Sequence, residues 1–309
     1  MNKNILSLLD LTKDDFLYFF KRSLDLKKRF KQGIPDRLLL GKSLGLIFEK
    51  KSTRTRLSFE TAMIQLGGTP IYISTQDTQM ARNEPIKDTS KVISRYVDAV
   101  AIRTSLHTNI EEFAKYSHVP VINALTDLFH PCQVLSDLMT IIENKNTYKN
   151  IKIAWVGDGN NVLNSWVNAA AVLDLNLIVA CPDKYSISNE IKKNALSKNS
   201  KNSKNVIFTN NPKEAVKNAD VIYTDVWASM GQKSEQKQRI KDFKGFQINK
   251  ELVSKAKNDV IIMHCLPAHR GEEISQDILD DPKGIFWDQA ENKMHMHKAV
   301  LEKLIMDNI

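Results

Sequence analysis

The 309-residue chain is poor in cysteine, glycine and proline, and it has no long apolar run. Its three cysteines, Cys132, Cys181 and Cys265, are an odd number without a Cys-x-x-Cys pair. That excludes a disulfide framework and a zinc-ribbon spacing, and it fits a reducing compartment. Eleven glycines and nine prolines are too few for a collagenous, linker-like or low-complexity chain. The most apolar stretch after the opening, AAAVLDLNLIVAC (169–181), is broken by Asp174 and Asn176 and is too short to cross a bilayer. Asp10, Asp14 and Asp15 stand where a secretory leader needs an apolar core. A soluble, cytoplasmic protein with no membrane partner is expected.

Lysine and arginine total 44 against 36 acids, a formal charge of +8. Such a balance suits nucleic acid, acidic membranes or anionic small molecules alike. The lysines are spread along the chain, and the densest run, KKNALSKNSKNSKN (192–205), has no aromatics on which bases could stack. It reads as a solvated helix end and loop, and no nucleic-acid partner is expected.

A domain usually takes about 100–200 residues, so this length predicts two. Thr12 with Asp15 forms a capping-box pattern ahead of a helical face at Leu17, Phe20 and Leu24, and Gly33 suits its C-terminal end. Strand-like runs follow at LGLIF (44–48), PIYIS (70–74), AVAIR (99–103) and VPVINA (119–124). Helical patterns at 57–67, 88–96 and 134–144 are interspersed with them. The polar stretch NKNTYKN (144–150) marks a boundary. Beyond it a second alternating series runs from IKIAWVG to DVIIMHC and GIFWD, the last read as a strand, before a closing helix, KAVLEKLIMD. The pattern predicts an α/β protein of two domains, each a parallel sheet flanked by helices, spanning 1–146 and 147–289. Ligands of such sheets bind beyond the carboxyl ends of the strands, so the chemistry is expected there.

The first strand exit carries Ser52-Thr53-Arg54-Thr55-Arg56 ahead of a helix expected to start near Leu57. Free backbone N–H groups at a helix start, three hydroxyl residues and two guanidinium forks suit an anion. A hydroxyl helix cap with solvated arginines is the plainer alternative. It is not a Walker loop, because the glycines and the closing Gly-Lys are missing. The third strand ends at Arg103. The fourth leads to His130-Pro131-Cys132-Gln133, with Pro131 placed for a first helical turn. There His130 and Gln133 can meet a carbonyl, or His130 can be structural.

In the second half, Gly157-x-Gly159 begins like a dinucleotide fingerprint, with Asp183 after the next strand, but Val162 replaces the third glycine. Asn160 and Asn161 in that loop can instead take the polar head of a small substrate. Asp225 can pair with a substrate ammonium or cap a helix. Cys265, beside His264 at a strand end, is either an inert buried thiol or functional. Cys132 and Cys181 read as packing residues. His295 and His297, two apart on a helical pattern, are not spaced as metal ligands and are expected at the surface; no metal and no cofactor are expected.

Taken together, STRTR (52–56), HPCQ (130–133), DVW-x-SMG (225–231) and HCLP (264–267) resemble the ornithine carbamoyltransferases of the aspartate/ornithine carbamoyltransferase family. QDTQMARNEPIKDT (76–89) and DQAENKMH (288–295) fit the same pattern, so the resemblance spans nearly the whole chain. It implies two domains with the active site in the cleft between them, the C-terminal helix from about residue 290 returning to the first domain. Carbamoyl phosphate would be held by Ser52, Thr53, Arg54, Thr55 and Arg103, and by Gln79 from a neighbouring subunit of a homotrimer. His130, Pro131, Cys132, Gln133, Cys265, Leu266 and Lys293 would complete that site. Asn161, Asp225, Ser229 and Met230 would bind L-ornithine. Arg54, Arg103, His130, Asp225 and Cys265 would carry the chemistry. The family usually has arginine where this chain has Lys293, which keeps the charge and loses the planar fork. Asn83 is a second, smaller departure. A nicotinamide-linked dehydrogenase and a nucleic-acid binder are the rival readings, and neither explains four polar motifs at strand exits.

Overall fold

A computed structural model describes residues 3–77, 84–197, 205–228 and 235–307. The chain divides into two compact units, Met1–Met139 with Glu291–Ile309, and Thr140–Ala290.

The first unit opens with helix α1 (Lys13–Lys31), whose start is a complete capping box: Thr12 accepts from the Asp15 N–H and Asp15 accepts from the Thr12 N–H. Gly33 follows its end with φ +70°, the left-handed turn that glycine adopts without penalty. Strands β1 (Ser43–Phe48), β2 (Thr69–Ser74), β3 (Ala99–Arg103) and β4 (Val121–Leu125) form one parallel sheet in the order β2-β1-β3-β4. β1 and β3 are buried along almost their whole length, whereas β2 lies at the edge and is largely exposed. That is why the inner strands read as unbroken apolar runs. Helices α2 (Arg54–Gln65), α3 (Ile86–Ile93) and α4 (His107–Tyr116) connect the strands. Ile110 and Phe113 of α4 join Ile47, Val100, Ile102 and Val121 in one buried cluster. Helix α5 (Pro131–Lys145) follows β4.

The second unit is a five-stranded parallel sheet in the order β7-β6-β5-β8-β9. Its strands are β5 (Lys152–Val156), β6 (Asn176–Ala180), β7 (Val206–Thr209), β8 (Val221–Thr224) and β9 (Ile261–His264). The connections carry α6 (Asn161–Leu173), α7 (Asn189–Ser197), α8 (Pro212–Val216), α9 (Gln236–Asp242), α10 (Lys250–Val253) and α11 (Gln276–Leu279). Val156, Ile222, Trp227, Phe243, Ile262 and Phe286 lie in its main core. The densest basic run lies partly on α7, and its residues 198–204 fall outside the described ones.

Three expectations need correction. GIFWD is not a strand: Gly284 makes one isolated parallel bridge to Ile262, and helix α12 (Phe286–Met306) starts two residues later. This helix is twice the length of the apolar pattern KAVLEKLIMD because its buried face begins with polar residues. Gln289, Asn292, Lys293, His295, His297 and Lys298 are all buried, so no apolar period marks its first half. For the same reason His295 and His297 are not surface residues. His297 stacks on Phe59 with ring centroids 3.6 Å apart, and burial holds its imidazole well below the usual range, hence neutral. Finally, α2 starts at Arg54 rather than near Leu57, which puts Arg54, Thr55 and Arg56 inside its first turn. Among the described residues no helix is long and apolar enough to cross a membrane.

Candidate active site

In the first unit the sequence-predicted residues collect at the carboxyl ends of β1, β3 and β4. Arg103 is the last residue of β3 and is buried, and its Nη1 donates to Ser52 Oγ at 3.3 Å. Its Nε, also buried, has no acceptor among the described residues. Burial, and then the charge of Arg54, pull the Arg103 guanidinium below its ordinary pKa. Among the described residues neither arginine pairs with a carboxylate. A buried cation facing another cation is costly unless an anion completes it. Thr53, at the α2 start, makes no side-chain cap bond. The hydroxyl-cap alternative is therefore not realised there, and this helix start stays open to a ligand.

His130 precedes α5 and is buried. Burial, followed by the charges of Lys293 and Arg103, drives its pKa well below the usual value, so the ring is neutral at pH 7. Pro131 is the first residue of α5. Cys132 turns inward onto the Asn123 carbonyl at 3.7 Å, and burial pushes its thiol up to about 12. Lys293, buried on α12, donates to Thr55 Oγ1 and to Gln133 Oε1, both at 3.0 Å. Gln79 and Asn83 lie outside the described residues.

Glu49, just past β1, was not singled out from sequence. Its carboxylate accepts from the Thr104 hydroxyl at 2.6 Å and from the Ser105 N–H at 2.7 Å. Against the upward pull of burial, these bonds hold its pKa below the usual value. It therefore ties the β1 exit to the β3 exit.

In the second unit a second polar cluster forms at the ends of β5, β8 and β9. Asn160 caps α6, its Oδ1 accepting from the Val162 and Leu163 N–H groups, and its Nδ2 donates to Asp225 Oδ2 at 2.6 Å. Asn161 follows as the first helical residue. Asp225 Oδ1 accepts from the Val226 N–H at 2.8 Å and from Cys265 Sγ at 3.0 Å. It is buried, and it caps no helix among the described residues, where the next helix is α9 at Gln236. Leu266 holds φ +58°, a left-handed turn braced by its N–H donating to His264 Nδ1 at 2.8 Å. That bond puts the proton of a neutral His264 on Nε2, which donates to buried Glu273 at 3.0 Å. Ser229 and Met230 lie outside the described residues.

Two further residues here escaped sequence reasoning. Asp158 and Arg239 form a buried ion pair at 3.0 Å, and Arg239 also donates to the Trp227 carbonyl at 2.7 Å. Burial pushes the Asp158 carboxyl up to about 6, against the pull of Arg239. Arg239 sits in a run of charged and amide residues, QKQRIKD, where nothing in the pattern distinguishes it.

The Gly-x-Gly turn serves packing. Gly157 has φ +145°, and a Cβ on Gly159 would lie 2.5 Å from the Tyr185 carbonyl oxygen. Gly159→Ala is therefore expected to cost about 1–3 kcal/mol through overpacking, read as a lower urea midpoint. An unchanged midpoint would show that this backbone yields.

The three thiols also differ in a way that can be measured. Burial raises the pKa of Cys132 and Cys181, and Cys265 alone is partly exposed. In the native protein iodoacetamide is expected to label Cys265 alone, as read by mass spectrometry of peptides. Comparable labelling of Cys132 would contradict its burial.

Comparison with known proteins gives one answer. Residues 3–143 match the family model described as aspartate/ornithine carbamoyltransferase, carbamoyl-P binding domain, and residues 149–304 match its Asp/Orn binding domain. The chain is 52% identical over 306 residues to the ornithine carbamoyltransferase of Syntrophus aciditrophicus, covering 99% of this chain and 100% of that one. Among solved structures, that of the ornithine carbamoyltransferase from Pyrococcus furiosus superposes with a TM-score of 0.93 at 48% identity, covering 99% of this chain and 97% of that one. The anabolic ornithine carbamoyltransferase from Campylobacter jejuni gives 0.92 at 41% identity, covering 99% and 100%. Two parallel-sheet units, with anion-seeking cations at one set of strand exits and a buried carboxylate at the other, agree with these matches: the chain belongs to the aspartate/ornithine carbamoyltransferase family.

Proposed function

We propose that this protein transfers the carbamoyl group of carbamoyl phosphate to the δ-amine of L-ornithine, giving L-citrulline and phosphate, a step of arginine biosynthesis. The observation that carries this reading is Arg103. Its buried guanidinium lies beside Ser52 within the influence of Arg54, with no carboxylate among the described residues to neutralise it. A phosphoryl dianion supplies what is missing. Arg54, Arg103 and the α2 start then grip the phosphate, with Ser52, Thr53 and Thr55 as hydroxyl donors. Neutral His130 donates to the carbonyl oxygen, and Gln133 addresses the carbamoyl group.

In the second unit Asp225 receives an ammonium of ornithine, and Asn161, Ser229 and Met230 complete that grip. Cys265 and Leu266 steady the loop beside the reacting amine. An alkylammonium of this kind loses its proton only near pH ~10, so the attacking amine has to be deprotonated first. Nearby cations and loss of water lower that value. The N–C bond then forms as the bond from carbon to the phosphate oxygen breaks. The departing phosphate takes the amine proton, so the step needs no dedicated protein base.

A cytoplasmic homotrimer completes the proposal. The exposed apolar residues Leu57, Ile64, Ile71 and Tyr72 on α2 and edge strand β2 support an interface there. The neighbour's Gln79 would reach the carbamoyl phosphate site across it.

The deciding assay mixes the protein with carbamoyl phosphate and L-ornithine and quantifies citrulline and phosphate, with aspartate and putrescine in parallel. Citrulline from ornithine alone is expected. Activity only with another amine would keep the carbamoyl-phosphate half and overturn the role given to Asp225.

A further inference from the structure

Gln133 is held at both ends. Its Nε2 donates to Asp137 Oδ1 at 2.9 Å, and its Oε1 accepts from Lys293 Nζ at 3.0 Å. All three side chains are buried, Asp137 completely. The amide lies between an ammonium, which only donates, and a carboxylate, which only accepts. Only one of its two flips satisfies both. Reversing it would set an NH2 against the Lys293 ammonium and a carbonyl against the Asp137 carboxylate, inside a region where water cannot relieve either clash. Asp137 lies one helical turn past Gln133 on α5, whose backbone fixes their separation.

We infer that Asp137 is a positioning residue that locks the Gln133 amide so that its remaining N–H and its remaining carbonyl lone pair face the ligand in one fixed order. A carbamoyl group offers the matching order, a carbonyl acceptor beside an NH2 donor. Inorganic phosphate has no such group. The Asp137–Gln133–Lys293 chain thus reads the carbamoyl end of the substrate, while Arg54 and Arg103 read the phosphate end. This rests on the carbamoyl-phosphate reading above.

The test compares affinity for carbamoyl phosphate and for inorganic phosphate, by calorimetry at low temperature, in the wild type, Asp137→Asn, Asp137→Leu, Gln133→Ala and the double variant Gln133→Ala/Asp137→Asn. Asp137→Asn can still accept from Gln133 through its own carbonyl but no longer forbids the flip. It is expected to weaken carbamoyl phosphate about tenfold, the scale of one buried hydrogen bond, and to leave phosphate unchanged. Asp137→Leu is expected to weaken carbamoyl phosphate further. In the Gln133→Ala background the Asp137 change is expected to add nothing. Equal loss of both ligands, no loss of either, or an undiminished effect without Gln133 would each overturn the inference. Should Asp137→Leu not fold, the near-isosteric Asp137→Asn decides alone. A wild type that binds phosphate but not carbamoyl phosphate would instead overturn the underlying reading of the site.

Discussion

Arg103→Ala is expected to lower kcat by about two to three orders of magnitude, the usual cost of removing one preorganised donor from a site where charge develops. Arg103 is buried with a hydroxyl for a partner and a second cation nearby, an arrangement that costs stability until an anion arrives. Carbamoyl phosphate brings that anion, and the charge on its phosphate grows as the carbamoyl carbon is attacked. The variant should therefore lose turnover without losing its fold, and its melting temperature without ligand should be equal to that of the wild type or higher. Arg103→Lys should recover part of the rate, since it keeps the charge but not the fork. Steady-state kinetics with carbamoyl phosphate varied, beside thermal melts with and without phosphate, measure both. A variant of near-normal turnover, or one that melts well below the wild type, would move Arg103 from the chemistry to the scaffold.

Asp225→Asn carries the second large effect, a rise in the KM for ornithine of about a hundredfold, near 3 kcal/mol. Shape is almost conserved, so the loss has two electrostatic sources. One is the missing charge opposite the substrate ammonium. The other is a conflict among donors: Asp225 accepts from the Val226 N–H, from Cys265 Sγ and from Asn160 Nδ2. An amide at 225 would turn its own NH2 toward one of them. Asn160 cannot flip to relieve this, because its Oδ1 already caps α6. Carbamoyl phosphate affinity should change far less, since Ser52, Arg54, Thr55 and Arg103, which grip its phosphate, belong to the other unit. An ornithine dependence identical to the wild type would show that the amino-acid site lies elsewhere.

Much of the fold is written in short-range pattern. β1 and β3 read as strands because both faces of each are covered and every residue but the terminal Arg103 is apolar or small. The α1 start is legible because its capping box consists of two residues three apart. The α12 start is not, because its buried positions carry Gln289, Asn292 and Lys293, whose burial is stabilised by hydrogen bonds to residues far away in sequence. Hydropathy cannot register a face made dry by partners. The same limit hid the Asp158–Arg239 pair and Glu273: each is recognisable only with its partner beside it, 81 residues away for Arg239. The motifs STRTR and HPCQ stood out because their chemistry is concentrated within four or five adjacent residues at a strand exit.

The first unit is assembled from both ends of the chain, and α12 supplies Lys293 to Thr55 and Gln133. During synthesis some 150 residues of the second unit leave the ribosome between the two parts. Domains usually fold as they emerge, the N-terminal one first. Here the order is inverted: the second unit is complete in sequence while the first still lacks its closing helix. Until α12 arrives, Gln133 and Thr55 lack their shared cation and Phe59 lacks the His297 ring. The nascent anion pocket therefore stays unfinished until α12 has left the ribosome, one of the last events of synthesis.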